Sequence, residues 1–299
     1  MQKVFTLAPN EDWIVDRFVK EWTTDNGDIA VDSPKAADVI WLMANWAWTQ
    51  VGLGYLATKK VLTTVHHEVP EKFGHKQRQD FLLRDRYTLA YHVPNKHTAD
   101  FVKSLTQKPI HIIPYWSNQR IWHPTRPKDE LRKEYTLPEN GFLVGSFQRD
   151  TEGHDLKSPK LEKGPDLLAD NLEKLFKVEP RLHVVLAGWR RQYLMTRLQA
   201  ARIPYSYYEL PPQHNVNELY QTLDMYMVSS RYEGGPQSLI ECGLLGVPCI
   251  SRDIGMAQQV LPHKAINNDL WQARPAIPDV ESLKLPSGYQ PYRQLLESL

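Results

Sequence analysis

A chain of 299 residues with 36 Lys and Arg against 35 Asp and Glu, 41% hydrophobic and 24% charged residues, has the proportions of a soluble globular protein. Disorder, collagen-like repeats and supercharged tails are excluded. The length suits one large domain or two of roughly 120–180 residues, with cores that need neither disulfide nor structural metal. Divided near residue 118, the chain carries 14 basic and 13 acidic residues before the cut and 22 of each after it. Neither half advertises the basic face that phosphate neutralisation requires, so no nucleic-acid partner is expected.

In chain order, the first half alternates strand-like and helix-like runs: Val4–Leu7, the amphipathic Trp13–Trp22, Val39–Met43, Val61–Val65, Tyr87–Val93, a helix near Lys96–Leu105, and Ile110–Pro114. No signal peptide is visible, since the short apolar start is followed by Asn10, Glu11 and Asp12. The uncharged stretch Val39–Ala57 approaches the length of a membrane span. Asn45, Thr49, Gln50, Gly52 and Gly54 break it, however, into a buried strand, an aromatic loop and a helix. At most a peripheral membrane association is expected, with a cytoplasmic location. Pro114–Pro127 carries three prolines and no period and reads as the linker, and Lys128–Glu134 as a short surface helix.

The alternation restarts with Phe142–Phe147, a helix over about 164–177, His183–Ala187, a helix near 189–201, Tyr205–Tyr208, a helix at 216–223, and Met225–Val228. Such alternation predicts parallel sheets with crossover helices. The expected organisation is two Rossmann-like α/β domains facing across a cleft, 1–118 and 119–291, with a terminal helix at 292–299 available to join the first. Ligands of open parallel sheets bind beyond the carboxyl ends of the strands. Cys242 and Cys249 fit no CxxC or metal-ligand spacing and read as buried small apolar residues of a reducing compartment.

Most informative is Met225–Ile250, MYMVSSRYEGGPQSLIECGLLGVPCI, which reads strand, loop, helix, strand. Pro236 falls in the predicted first helical turn, and Gly246 with Pro248 supplies the stop. Gly234 and Gly235 let a ligand approach the backbone, and the amides of Gln237 and Ser238 point out of the predicted helix N-terminus, which makes an anion site. Glu233 lies just ahead of it and Glu241 in the second turn, one turn beyond Gln237. Carboxylates beside a phosphate repel it unless they bind hydroxyl groups, so a ligand with phosphates between sugar hydroxyls satisfies every group. A nucleotide sugar has that pattern.

Glu233 to Glu241, E-G-G-P-Q-S-L-I-E, resembles the E-x7-E motif of retaining GT-B glycosyltransferases of family 4. The run Gly243–Ser251 and the pair Ile254–Gly255 resemble that family's continuation from helix to strand. The resemblance spans about 143–260 and is weak before it. It implies a two-domain GT-B hexosyltransferase acting in glycan biosynthesis. The donor would be a nucleotide-diphosphate sugar and the acceptor a glycan, a lipid-linked sugar or a small molecule, with retention of anomeric configuration. By the same resemblance, Glu233 lies by the donor sugar, Glu241 binds the ribose hydroxyls, and the backbone across Gly234, Gly235, Pro236, Gln237 and Ser238 holds the diphosphate. These enzymes neutralise the leaving diphosphate with Arg and Lys. No DxD motif is found, so neither metal nor other cofactor is expected.

The family's Gly-Arg after a strand is replaced here by Gly145-Ser146-Phe147-Gln148-Arg149, and Lys-Gly arrives only at Lys163-Gly164, after TEGHDLKSPKLE. Arg149 and Lys163 are the expected diphosphate cations. Val61–Val65 followed by His66-His67-Glu68 resembles the family's strand ending in a His that faces the donor sugar, a place for either His66 or His67, with His66 favoured. His92, His97, His111 and His154 read as structural or surface. Trp46 and Trp48 line an acceptor cleft or pack in the core. Asn10–Asp12 stand where many relatives carry glycines. A front-face route, with the departing phosphate helping to take the acceptor proton, fits better than double displacement, for which the first half offers no nucleophile. The alternatives are a GT-B-like epimerase or phosphorylase, a nucleotide-sugar-binding subunit without turnover, and a membrane-anchored scaffold.

Overall fold

Strands whose central members are apolar and buried on both faces, alternating with helices that bury one stripe, build two parallel sheets in this computed structural model, which describes residues 1–11 and 14–299. Asp12 and Trp13, read from sequence as the end of the first loop and the start of the first helix, lie outside the described residues. The chain divides into two units, Met1–Tyr115 with Pro286–Leu299, and Trp116–Leu285. The division falls inside the proline-rich Pro114–Pro127.

In the first unit the strands are β1 Val4–Thr6, β2 Ala30–Val31, β3 Val39–Leu42, β4 Lys60–Thr64, β5 Ala90–Val93 and β6 Ile110–Ile112. Among the described residues they form a six-stranded sheet in the order β2-β1-β3-β4-β5-β6, every pairing parallel. The helices are α1 Ile14–Asp25, α2 Leu53–Thr58, α3 His75–Asp85 and α4 Lys96–Lys103. Helix α1 buries Val15, Phe18, Val19 and Trp22, the spacing of one helical face. The stretch 39–57 is β3, a 3-10 turn and most of α2, and among the described residues no helix is long and apolar enough to cross a membrane.

Helix α3 was not predicted, because His75–Asp85 buries only Phe81 and Arg84 and leaves Leu82 and Leu83 exposed. Its sequence carries no apolar period to read.

The second unit holds α5 Lys128–Glu134, β7 Phe142–Ser146, the short antiparallel pair β8 Thr151–Glu152 and β9 Ser158–Pro159, α6 Pro165–Val178, β10 Leu182–Ala187, α7 Gln192–Ala200, β11 Tyr205–Tyr208, α8 Gln213–Gln221, β12 Met225–Val228, α9 Gln237–Leu245, β13 Cys249–Ser251 and α10 Ala257–Val260. Its sheet runs β11-β10-β7-β12-β13, again parallel throughout. Helix α5 is not purely a surface element. It buries Leu131 and Arg132, whose guanidinium donates to Thr222 O at 3.0 and 2.9 Å and to Asp224 Oδ2 at 2.7 Å. Cys242 and Cys249 are buried free thiols.

The last helix, α11 Gln290–Ser298, belongs to the first unit and closes its core. Tyr292, 1% exposed, packs on Trp41 with ring centroids 5.3 Å apart and donates to Pro114 O at 3.0 Å. Tyr289 meets Trp22 edge-on at 5.5 Å, and Arg293 NH2 pairs with Asp28 Oδ2 at 2.6 Å. Tyr292→Ala removes a buried ring that contacts both Trp41 and His92. It is expected to lower the stability of the first unit by about 3–5 kcal/mol, measured as a shift of the urea midpoint followed by tryptophan fluorescence.

Candidate functional site

Strand order reverses between β7 and β12, because the chain leaves β7 toward β10 and β11 and returns on the other side as β12. Loops leaving two such strands in opposite directions open a crevice at their carboxyl ends, where open α/β sheets bind ligands. The predicted donor residues lie in these two loops. The loop after β7 carries Gln148, Arg149 and Lys163, and the loop after β12 carries Ser230, Glu233, Gly234 and Gly235.

Glycine brings the two loops together. Gly164 has φ +59°, and a Cβ there would stand 2.0 Å from Ser229 O, so only glycine lets the first loop lie against the end of β12. Gln148 Nε2 donates to Lys163 O at 2.9 Å and Ser229 Oγ to the same oxygen at 3.2 Å. With its backbone held, Lys163 reaches across the crevice, and its Nζ lies 2.6 Å from Glu233 Oε1. Ser230 Oγ is 2.9 Å from that carboxylate oxygen and 3.0 Å from Gln148 Oε1. Below the pair, Arg231 forms a bidentate contact with Asp166 at 2.7 and 2.6 Å. Burial raises the Asp166 carboxyl, and the Arg231 guanidinium more than offsets it, leaving that pKa below the ordinary value.

Helix α9 starts at Gln237, with Pro236 as its extended N-cap and not in the first turn as predicted. The Gly235–Pro236 bond is cis. A Cβ on Gly255 would stand 2.0 Å from Gly235 O, which accepts a hydrogen bond from the Met256 amide. Gly234, Gly235 and Pro236 are buried, while Gln237 and Ser238 are half-buried at the positive end of the helix dipole. Glu241 is 9% exposed and accepts from Tyr220 OH at 2.8 Å. Burial, reinforced by the Glu241 charge, pushes the Tyr220 phenol well above its usual pKa, so it stays a donor. Phe147 and Tyr226 pack on the Tyr220 ring at 4.6 and 5.3 Å.

Arg149 takes a different direction from Lys163. Its Nε donates to Thr151 O at 2.9 Å, and its guanidinium lies 5.1 Å from the ring centroid of Trp189, which Arg190 also approaches at 4.5 Å. The structure therefore joins Lys163 to Glu233 but does not bring Arg149 into contact with either. The deeper cation is Arg191, absent from the sequence reading. It is fully buried, its Nε lies 2.7 Å from Asp150 Oδ2, and it donates to Ser146 O and Ala187 O, tying together the ends of β7 and β10. Removing either partner would strand a charge in the core.

In the first unit, His66 follows β4, and both of its ring nitrogens are engaged. Nε2 lies 2.7 Å from Met43 O, an acceptor only, so Nε2 carries the proton and Nδ1 accepts from Tyr115 OH. The predicted hydrogen bond from His66 to a sugar has no ring nitrogen left to make it in this conformation. Burial pulls the His66 pKa down to about 4, against the opposing effect of the Met43 carbonyl. His67 is half-buried. His92 is structural. Its Nε2 donates to Ile113 O and its Nδ1 accepts from Thr64 Oγ1, each at 2.9 Å, and burial lowers its pKa to about 3. Trp48 is buried with its Nε1 on Asp80 Oδ1 at 3.0 Å, whereas Trp46 is 41% exposed with its Nε1 on Glu11 Oε1 at 3.0 Å. Among the described residues, no group of three or more His, Cys, Asp and Glu is placed to hold a metal ion.

Residues 156–273, which include Lys163, Glu233 and Glu241, match the family model described as glycosyl transferases group 1. The O-antigen biosynthesis glycosyltransferase WclY of Escherichia coli is 24% identical over 145 residues, covering 48% of this chain and 37% of that protein. The matched part is thus well under half the length of that relative. Among solved structures, Anabaena Alr3699/HepE in complex with UDP-glucose superposes with a TM-score of 0.78 at 14% identity, covering 100% of both chains. Sucrose-phosphate synthase from Thermosynechococcus elongatus superposes at 0.64 and 15% identity, covering 98% of this chain and 81% of that one. The fold is that of the GT-B glycosyltransferases, built from Rossmann-like α/β units.

His66 and His92 are held neutral in the folded protein, whereas an unfolded histidine titrates near 6.5. Between pH 6.5 and about 4 the unfolded chain therefore binds more protons, and stability falls as the pH falls, by up to about 1.4 kcal/mol per pH unit for each group. Urea unfolding at pH 7.5 and at pH 5 is expected to show this loss, and His92→Gln to reduce the difference. Equal stability at both pH values would contradict the assignment.

Proposed function

We propose that this chain is a retaining glycosyltransferase that moves a sugar from a nucleotide-diphosphate donor to a glycan, lipid-linked or small-molecule acceptor, without a metal ion. The observation that carries the reading is the Lys163–Glu233 pair, 2.6 Å apart, at the N-terminal end of α9 with Glu241 buried one turn further on. The cation and the helix end suit a diphosphate, and the two carboxylates suit the hydroxyls of sugar and ribose. The family match over 156–273 and the likeness to the Anabaena protein solved with UDP-glucose support the same reading. UDP-sugars are therefore the first donors to test. The name of the Escherichia coli relative favours a glycan acceptor.

In this account Lys163 exchanges Glu233 for the donor diphosphate, and Arg149 swings from Trp189 to join it. The amides from Gly234 to Ser238 hold the phosphate oxygens, whose charge the helix dipole stabilises by roughly 0.3–2 kcal/mol. Glu241, steadied by Tyr220, accepts from the ribose hydroxyls, and the released Glu233 binds the donor sugar. The acceptor hydroxyl attacks the anomeric carbon on the face from which the diphosphate leaves. The new C–O bond forms as the bond to phosphate breaks, and the hydroxyl proton passes to the departing phosphate oxygen. Lys163, Arg149 and α9 stabilise the charge that develops there. Any membrane contact is peripheral.

Thermal unfolding with UDP, GDP and ADP and their sugars, each in EDTA and in magnesium, tests the proposal. At a hundredfold excess over its Kd, a bound nucleotide adds about 2.7 kcal/mol, a rise of several degrees. One nucleotide is expected to stabilise in EDTA, with the response lost in Lys163→Ala and Glu241→Ala. A response that needs magnesium contradicts metal independence, and no response to any nucleotide contradicts the donor site.

A further inference from the structure

The second unit contains a cavity of about 320 Å³ between α6 and the sheet face that this helix covers. Phe142 and Met225, the first residues of β7 and β12, line it together with Met227. It therefore sits toward the amino ends of the strands whose carboxyl ends carry the donor crevice. The 3-10 turn Leu270–Gln272 forms another wall with Leu270 and Trp271. The volume is at the lower end of the range for small-molecule sites, roughly 300–1,000 Å³. It is also well above the roughly 150 Å³ of a dry apolar cavity that takes up benzene, so two fused rings fit.

Two polar side chains line this otherwise apolar space, Asn171 and Arg274. Asn171 lies within α6 and is 7% exposed. Its Nδ2 donates to Leu167 O, one turn back, at 2.8 Å. A carbonyl only accepts, so the amide nitrogen must face it and the amide oxygen is turned away. That oxygen, Oδ1, is buried and has no hydrogen-bond partner among the described residues. An asparagine inside a helix also forms helix less readily than the leucines around it, so the position carries two local costs. Arg274 is exposed and its NH1 donates to Ala273 O at 3.3 Å. It borders the opening and leaves the interior to apolar side chains and Asn171.

A single buried acceptor in an apolar wall is satisfied by a ligand that brings a single donor. A sugar brings several hydroxyls, most of which would be buried against apolar side chains. A fatty acid can place its carboxylate on Arg274, but its chain brings no donor to Asn171. An aromatic ring system with one N–H or O–H meets the acceptor and presents only apolar surface elsewhere. Phe142 and Trp271, with the thioethers of Met225 and Met227, are the side chains that favour aromatic neighbours.

We propose that this cavity binds a small fused-ring aromatic molecule, whose one N–H or O–H donates to Asn171 Oδ1 and whose rings lie among Phe142, Met225 and Met227. The site is separate from the donor crevice, and it stands or falls independently of the glycosyltransferase reading.

Methyl NMR of the full chain labelled with carbon-13 at the methionine methyls tests this, with indole as the probe. Benzofuran, which has the same shape and no donor, and octanoate are the controls. Indole is expected to shift the methyls of Met225 and Met227, assigned through Met225→Leu and Met227→Leu, and to bind roughly tenfold more tightly than benzofuran. Asn171→Leu removes an unpaired acceptor, so it should fold with an unchanged or raised thermal midpoint and bind indole no better than benzofuran. Ala273→Leu, which fills part of the cavity, should weaken both ligands together. The proposal is overturned if indole moves neither methyl, if benzofuran or octanoate binds as tightly as indole, or if Asn171→Leu keeps the preference for indole.

Discussion

The close approach of Gly164 to the end of β12 is the constraint on which the second unit's site depends. A side chain at that position would collide with Ser229 O at 2.0 Å. Without one, the long loop after β7 folds down onto the neighbouring strand end, and Gln148 and Ser229 fix the Lys163 carbonyl. The insertion 151–162 lengthens this loop, and the β8–β9 pair tightens it, so the Lys-Gly step still arrives at the crevice. The position of the amino group thus follows from backbone packing.

Electrostatics then set the resting state of the crevice. Lys163 and Glu233 are mostly sheltered, with 20% and 10% of their side chains exposed, so each would be costly to leave unpaired. Their contact keeps both charges satisfied, and Glu233 lies in the loop that leads to the N-terminal end of α9, where an anion is favoured. In the proposed function, a diphosphate arriving there takes over the lysine and frees the carboxylate for hydroxyl groups. The same logic applies to Glu241, whose carboxylate accepts from Tyr220 OH. Arg191, with Asp150 on its guanidinium, keeps the ends of β7 and β10 in place beneath the loop.

Much of this was legible in the sequence where the signal is local. Strands β3 and β12 are apolar at every position because both faces are covered, and they read as strands directly. The step Glu233-Gly234-Gly235-Pro236 before a helix resembles a known donor-binding motif, and Lys163 was singled out through the glycine that follows it. What escaped depends on partners far away in the chain. Tyr220 and Glu241 are 21 residues apart, and Asp150 and Arg191 are 41 apart. No period or motif announces such pairs. His66 was located by its place after β4, but its engagement by Met43 O and Tyr115 was invisible. Helix α3 lacks an apolar stripe, since it buries only Phe81 and Arg84, and so gave no period to read. Arg149 was placed by proximity in sequence, and its guanidinium instead lies on the Trp189 ring.

The central claim is that the Lys163–Glu233 pair is the resting form of a diphosphate site, in which the carboxylate competes with the ligand for the lysine. Calorimetric titration of UDP and the other nucleoside diphosphates into the wild type, Lys163→Met and Glu233→Gln tests it most directly. The account predicts that Lys163→Met weakens binding at least tenfold, and that Glu233→Gln, by removing the competitor, tightens binding of the diphosphate while losing sugar transfer. Equal affinity in all three proteins would contradict it.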